Sequence, residues 1–138
     1  MHQITLTFRF PGRGLHDITR EVAAAARASG VRTGLCHLFL QHTSASLLVQ
    51  ENADADVRSD LVDWFSRIAP DGDPVYRHTA EGPDDMSAHL RSAVTQTALT
   101  LPVRDGILAL GTWQAVYLFE HRTRPHTRHV VVTVWGDR

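Results

Sequence analysis

Residues 98–110 read Ala98-Leu99-Thr100-Leu101-Pro102-Val103-Arg104-Asp105-Gly106-Ile107-Leu108-Ala109-Leu110. Two apolar runs, Ala98 to Val103 and Ile107 to Leu110, flank Asp105-Gly106, a dipeptide suited to a tight hairpin turn. A hairpin makes its strands antiparallel, so mostly antiparallel pairing is the expectation for the sheets. Further strand signals lie on both sides. Near the start, Ile4, Leu6, Phe8 and Phe10 alternate with Thr5, Thr7 and Arg9 until Pro11-Gly12 ends the run. From Arg32 to Gln50 the chain is long enough for two strands meeting near His42-Thr43-Ser44-Ala45. Beyond the hairpin, Ala115 to Glu120 reads as a strand with Gln114, Val116, Leu118 and Glu120 on one side and Tyr117, Phe119 and His121 on the other. Val130 to Trp135 is a nearly continuous β run, expected to be buried on both faces, in the sheet centre or against another subunit.

Helical spacing interrupts these strands in about three places. Asp17 can cap a helix with Ile18, Val22, Ala25 and Ala26 on one side, stopped by Gly30. The clearest helix carries Val57, Leu61, Trp64, Phe65 and Ile68, capped by Asn52 or Asp54, with Trp64 and Phe65 as core anchors. A third begins after Gly82-Pro83, capped by Asp84 or Asp85, and is expected to turn Met86, Leu90, Ala93 and Val94 inward. The sequence therefore predicts one α+β domain over residues 1–138, mostly antiparallel, with about three helices. Ala69 to Tyr76, with Pro70, Asp71-Gly72-Asp73 and Pro74, reads as a loop placed to act as a lid.

Composition narrows the function classes. A 138-residue chain that is 43% hydrophobic can bury a real core. Its formal net charge of −1 supplies no basic field for nucleic acid or an anionic membrane. All 14 Lys-plus-Arg cations are arginine, which excludes lysine Schiff-base chemistry and leaves bidentate recognition of phosphate or carboxylate open. Cys36 is the single cysteine, in the apolar run Leu35 to Leu40, and suggests a buried thiol in a reducing compartment. No stretch approaches the ~18 apolar residues of a membrane span, and no apolar leader follows Met1, so a cytoplasmic location is expected.

The densest chemistry lies between His78 and His89. His78, Glu81, Asp84, Asp85 and His89 crowd one turn and the helix start after it. Asp85 and His89 are four residues apart, on one helix face, where a carboxylate and an imidazole can converge on one ion or one proton. The plainer alternative is an N-cap followed by an exposed histidine. Two adjacent aspartates exceed what one cap requires, and a metal or shared proton would relieve their repulsion. Polar candidates also occur around His42, around Asn52, and from Thr112 to Arg128.

Several motifs in one order, namely His42-Thr43-Ser44-Ala45, Glu51-Asn52-Ala53-Asp54, His78-Thr79 with Glu81-Gly82-Pro83-Asp84-Asp85-Met86, His89, Leu110-Gly111-Thr112-Trp113-Gln114 and Glu120-His121-Arg122, closely resemble the YjbQ family over nearly the whole chain. Ser87 stands where the family usually has proline, and Ala115 where glycine is common. The resemblance implies a compact β-sandwich-like fold with flanking helices, a homotrimer with sites near its interfaces, and a weak secondary thiamine-phosphate synthase activity. That reaction joins a hydroxymethylpyrimidine diphosphate to a thiazole phosphate and releases pyrophosphate. Tested against such chemistry, Glu81, Asp84 and Asp85 suit magnesium, and Arg122 or Arg128 could clamp phosphate oxygens. A His42, Asp85 and His89 set looks more like a zinc or other transition-metal site. Asn52, Thr112, Trp113 and Gln114 are candidates to orient substrate, with Trp113 either stacking on a heteroaromatic ring or packing only. Glu120 and His121 lie on opposite faces of a regular strand, so no more than one is expected to reach the site. Three readings follow: a metal-assisted transferase on small phosphorylated metabolites, a metal-dependent hydrolase of a small anionic metabolite, and a non-catalytic metal- or anion-binding trimer.

Overall fold

The computed structural model describes all 138 residues, Met1 to Arg138. In chain order the elements are β1 (His2–Arg9), β2 (Gly14–Asp17), α1 (Thr19–Ala28), β3 (Thr33–Leu40), β4 (Ala45–Glu51), α2 (Ala55–Ile68), α3 (Asp85–Ala93), β5 (Ala98–Arg104), β6 (Ile107–Leu108), β7 (Gln114–Glu120) and β8 (Thr127–Asp137). This is the expected α+β class. A five-stranded sheet ordered β1-β8-β3-β5-β6 and a three-stranded sheet ordered β2-β7-β4 are antiparallel throughout. The Asp105-Gly106 turn behaves as its chemistry requires: φ is 54° at Asp105 and 82° at Gly106, and Arg104 pairs with Ile107 across it.

One core serves both sheets. Leu38, Leu40, Val130 and Val132 from the large sheet, Leu47, Val116 and Leu118 from the small one, and Ile18, Val22 and Ala25 beside or on α1 belong to a single cluster of 17 buried residues. Strand alternation puts these side chains on the inner faces, and each large one fully buried contributes about 1.5–3 kcal/mol. The other face of β7 carries Tyr117 and Phe119, and α2 covers it. Phe65 meets the Phe119 ring edge-on at a centroid distance of 5.4 Å, and Arg58 donates to the Tyr117 hydroxyl at 3.4 Å. Asp54 caps α2 by accepting from the Asp56 amide at 2.9 Å.

The structure corrects the sequence reading at several elements. Strand β2 is absent from that reading, because Gly14-Leu15-His16-Asp17 is too short to show alternation; pairing with β7 makes it a strand. The two strands expected between Arg32 and Gln50 are β3 and β4, and because they belong to different sheets residues 41–44 cross from one sheet to the other. On α2, Phe65 is buried against Phe119 but Trp64 is 48% and Ile68 50% exposed. Helix α3 turns Asp85, Ser87, Ala88 and Arg91 inward and leaves Val94 exposed. Most of the buried polar atoms find partners: Asp85 meets Arg122, Ser87 donates to Asp71, and Arg91 donates through Nε and Nη2 to the Ala69 carbonyl, at 2.9 Å from Nη2, leaving only its Nη1 unpaired. Strand β8 is central, between β1 and β3, yet buried on one face only. Its outer face, with Val131 and Trp135 beside Leu35 and Phe39 of β3, is open; Leu35 is 37%, Phe39 46% and Trp135 40% exposed.

Candidate metal centre

Three pieces of chain converge where α3 begins. The first turn of α3 supplies Asp85, which is 1% exposed, and His89 one turn later on the same face. The loop after α2 supplies His78. The His78 Nε2 lies 2.5 Å and the His89 Nε2 3.1 Å from the same Asp85 oxygen, Oδ2. One ligand atom from each of the three residues falls within 4.8 Å of the others, close enough to hold a single metal ion.

The hydrogen bonds behind these groups decide how they face each other. His89 Nδ1 contacts the Thr43 carbonyl at 2.9 Å. A carbonyl only accepts, so the Nδ1 proton is fixed and Nε2 is the free nitrogen. A neutral His89 would therefore point a lone pair at a carboxylate oxygen. A cation between them, a proton or a metal, removes that repulsion. The other Asp85 oxygen accepts from Arg122 Nη1 at 2.8 Å. Burial alone would raise the Asp85 carboxyl, but the His78 hydrogen bond, the His89 charge and the Arg122 guanidinium outweigh it and hold the carboxyl below its usual range.

Arg122 is itself held. Its Nε donates to Asp84 Oδ2 at 3.0 Å, its Nη2 to the Glu81 carbonyl at 3.0 Å, and its amide to Glu120 Oε1 at 3.1 Å. Asp84 Oδ2 also accepts from the Thr123 amide at 2.9 Å and hydroxyl at 3.1 Å. Burial works against ionisation there, but the Thr123 amide and Arg122 together bring Asp84 down to about 2. Beneath this layer, fully buried Glu120 takes Arg128 Nε at 2.7 Å and Nη2 at 2.5 Å, and Arg128 also donates to the Ser44 carbonyl at 3.2 Å. His121, also fully buried, contacts the Ser46 hydroxyl at 2.9 Å; burial, then the Arg91, Arg13 and Arg128 charges, push it down to about 3, so it stays neutral.

The expected site residues divide into groups. Asp85 and His89 are at the centre as expected. His42 is not in the three-residue cluster: its Nε2 accepts from the His129 amide at 2.8 Å, and it lines a neighbouring groove of about 520 Å³ that His89, Thr43 and Ser92 also line. Burial, with the Arg128 and His129 charges next, lowers its pKa. Asp84 orients Arg122 and is no free ligand, and the exposed Glu81 contributes its carbonyl. Arg122 and Arg128, expected as phosphate clamps, are committed to carboxylates. Asn52, Thr112, Trp113 and Gln114 lie at the other end of the small sheet. Ala45 pairs with Glu120 near the centre, whereas Glu51 pairs with Gln114 six residues on, about 20 Å away at strand rise. There the Asn52 amide donates to the Trp113 carbonyl at 2.9 Å, and Trp113 is 62% exposed, so it does not anchor packing within one chain. Glu120 and His121 are both buried and neither reaches the cluster. The member of the three-residue cluster that spacing missed is His78, seven residues before Asp85 across a loop whose path no periodicity describes.

Comparison with known proteins agrees with this architecture. Residues 3–137 match the family model described as UPF0047 protein YjbQ-like. The UPF0047 protein sll1880 of Synechocystis sp. is 50% identical over 99% of this chain and 92% of its own length. The UPF0047 protein YjbQ of Salmonella typhimurium is 45% identical over 99% of both chains. The crystal structure of a conserved hypothetical protein from Thermus thermophilus superimposes with a TM-score of 0.86, at 39% identity, over 96% of this chain and 99% of that one. The chain belongs to the YjbQ-like UPF0047 family.

Proposed function

We propose that this YjbQ-like protein is a metal-dependent hydrolase of a small anionic metabolite, with a zinc-class divalent cation held by His78, Asp85 and His89. The observation that carries the reading is the convergence of two imidazole nitrogens and one carboxylate oxygen within 4.8 Å, with the tautomer of His89 set by the Thr43 carbonyl. Two nitrogens and one oxygen suit zinc better than magnesium, and three protein ligands leave a fourth position for water or substrate. An ion held there supplies Lewis acidity and a nucleophile at neutral pH. The chain's own residues orient it: Arg122 holds the second oxygen of Asp85, and Asp84 with Thr123 holds Arg122. The groove beside His89 is large enough for a small substrate, and a divalent cation held at its edge would favour an anionic one.

The thiamine-phosphate synthase activity implied by the family resemblance asks for more. It needs magnesium on several carboxylate oxygens and arginines free to hold a diphosphate, whereas Arg122 and Arg128 are engaged. One assay separates the readings. Metal-stripped protein, reloaded with zinc or magnesium, is given the pyrimidine diphosphate alone, the thiazole phosphate alone, and both. Phosphate or pyrophosphate release from a single substrate, dependent on zinc and abolished in Asp85→Asn, is the expected result. Release that needs both substrates and magnesium would replace the hydrolase with the transferase. Zinc binding without turnover of any anionic ester would leave the non-catalytic trimer.

A homotrimer, built on the open outer face of the large sheet, is part of the same proposal. Leu35, Phe39, Val131 and Trp135 give that face an apolar character that a solvated antiparallel face normally lacks. A cytoplasmic location fits Cys36, a fully buried lone thiol that burial pushes up to about 11. No helix is long and apolar enough to cross a membrane.

A further inference from the structure

The ligands of the centre differ in how firmly they are held. Asp85 is buried and bound to Arg122, and His89 is pinned to Thr43. His78 comes from a loop that closes on itself. The Gly72 amide donates to the Pro83 carbonyl at 2.9 Å, and the left-handed Gly72 (φ 66°) and Gly82 (φ 101°) turn the chain at the two ends. Between them, residues 73–80 include no buried residue, and Val75 is 78% exposed. Their other hydrogen bonds are local: the Tyr76 amide and Val75 amide donate to Asp73, the Gly82 amide to the Thr79 carbonyl, and the Tyr76 hydroxyl to the Pro70 carbonyl. The loop does not fill its own interior, which is a cavity of about 340 Å³ lined by Asp73, Pro74, Tyr76, His78 and Thr79 among others. The hydrogen bond from residues 73–80 to α3 is the one between His78 and Asp85; beyond them the Glu81 carbonyl accepts from Arg122 and the Gly82 carbonyl from the Asp85 amide, which fixes the hinge end of the loop.

A segment with so few buried contacts opens at low free-energy cost. A ligand that binds only the closed arrangement shifts the loop toward it by its differential affinity. We infer that residues 73–80 are a flap locked by the metal: His78 brings the third ligand on a glycine-hinged stretch, so loading the centre closes it beside the substrate groove and losing the ion releases it. This rests on the metal reading above and goes further, because a metal could bind a rigid site with no effect on the loop.

Trypsin tests the flap directly, since Arg77 sits in the exposed loop immediately before His78. Zinc binding is measured separately, by competition with a chromophoric chelator. Saturating zinc should slow scission of the Arg77–His78 bond about tenfold or more. Cleavage after Arg104, the last residue of β5 beside the exposed Asp105-Gly106 turn, should not change and serves as the internal control. His78→Ala should lose the slowing, and because His78 is exposed the variant keeps its fold. Zinc bound with no slowing in the wild-type protein, or slowing that survives in His78→Ala, would overturn the flap and leave the metal reading standing. Failure of the wild-type protein to bind zinc would overturn both.

Discussion

Replacing Arg128 with methionine should cost about 3–5 kcal/mol of stability, because it leaves the Glu120 carboxylate buried without its counter-charge. Glu120 is fully buried and Arg128 is 3% exposed, so water cannot replace the lost partner cheaply. The pair is bidentate, at 2.7 and 2.5 Å, and the single contact left to Glu120 is the Arg122 amide at 3.1 Å. The Ser44 carbonyl, which accepts from Arg128 at 3.2 Å, loses a donor as well. Methionine preserves much of the arginine stem, so little of the loss comes from packing. For a chain of 138 residues that loss corresponds to a melting-temperature drop of about 10–15 °C. Urea unfolding of wild type, Arg128→Met, Glu120→Gln and the double variant, at one fixed protomer concentration, measures it. The double variant should recover at least about 1.5 kcal/mol relative to additivity, since each single change strands the other partner. A deficit below about 1 kcal/mol in Arg128→Met would refute the reasoning, because a pair worth so little is a solvated one.

Acid should destabilise the protein through His121. Its folded value of about 3 lies below the ordinary 6.5, so the unfolded chain binds the extra proton between those values and stability falls as pH drops through that window, by up to about 1.4 kcal/mol per unit. His121→Gln should flatten this dependence in a urea-midpoint series. Asp84→Asn, which loosens Arg122 behind Asp85, should weaken zinc binding about 10- to 100-fold in a chelator competition without unfolding the chain. Phe65→Ala should cost about 3–5 kcal/mol in urea unfolding, while Trp64→Ala, at a half-exposed position, should cost less than about 1 kcal/mol. In the proposed trimer, sedimentation of the wild-type chain should give three times the protomer mass and Trp135→Arg on the outer face of the large sheet should reduce it to the protomer; a variant that keeps the trimer mass would move the interface elsewhere, and a monomeric wild type would remove the trimer.

Local chemistry made the strands and turns legible in the sequence. Asp105-Gly106 accepts two positive φ angles whatever surrounds it, and alternation at Ile4, Leu6 and Phe8 needs only one buried face. The four-residue spacing of Asp85 and His89 likewise belongs to any helix. Recognition of the motif order added the family, which the comparisons bear out over residues 3–137.

Only the tertiary structure decided the rest, because long-range pairing determines which face of an element finds partners. Helix α3 shows this most plainly: its hydrophobic residues predict one buried face, but Arg122, Asp71 and the Ala69 carbonyl pair with Asp85, Ser87 and Arg91 and so bury another. Asp84 and Asp85 withdraw Arg122, and Glu120 withdraws Arg128, from phosphate binding, and strand register carries Asn52 and Gln114 to the far end of the small sheet. His78 joins Asp85 through a loop of nearly local hydrogen bonds, a path that neither spacing nor composition encodes. From sequence alone come most of the elements and two members of the His78, Asp85 and His89 cluster; the third member, and the groups that hold the first two in place, come together only once the sheets have closed around their core.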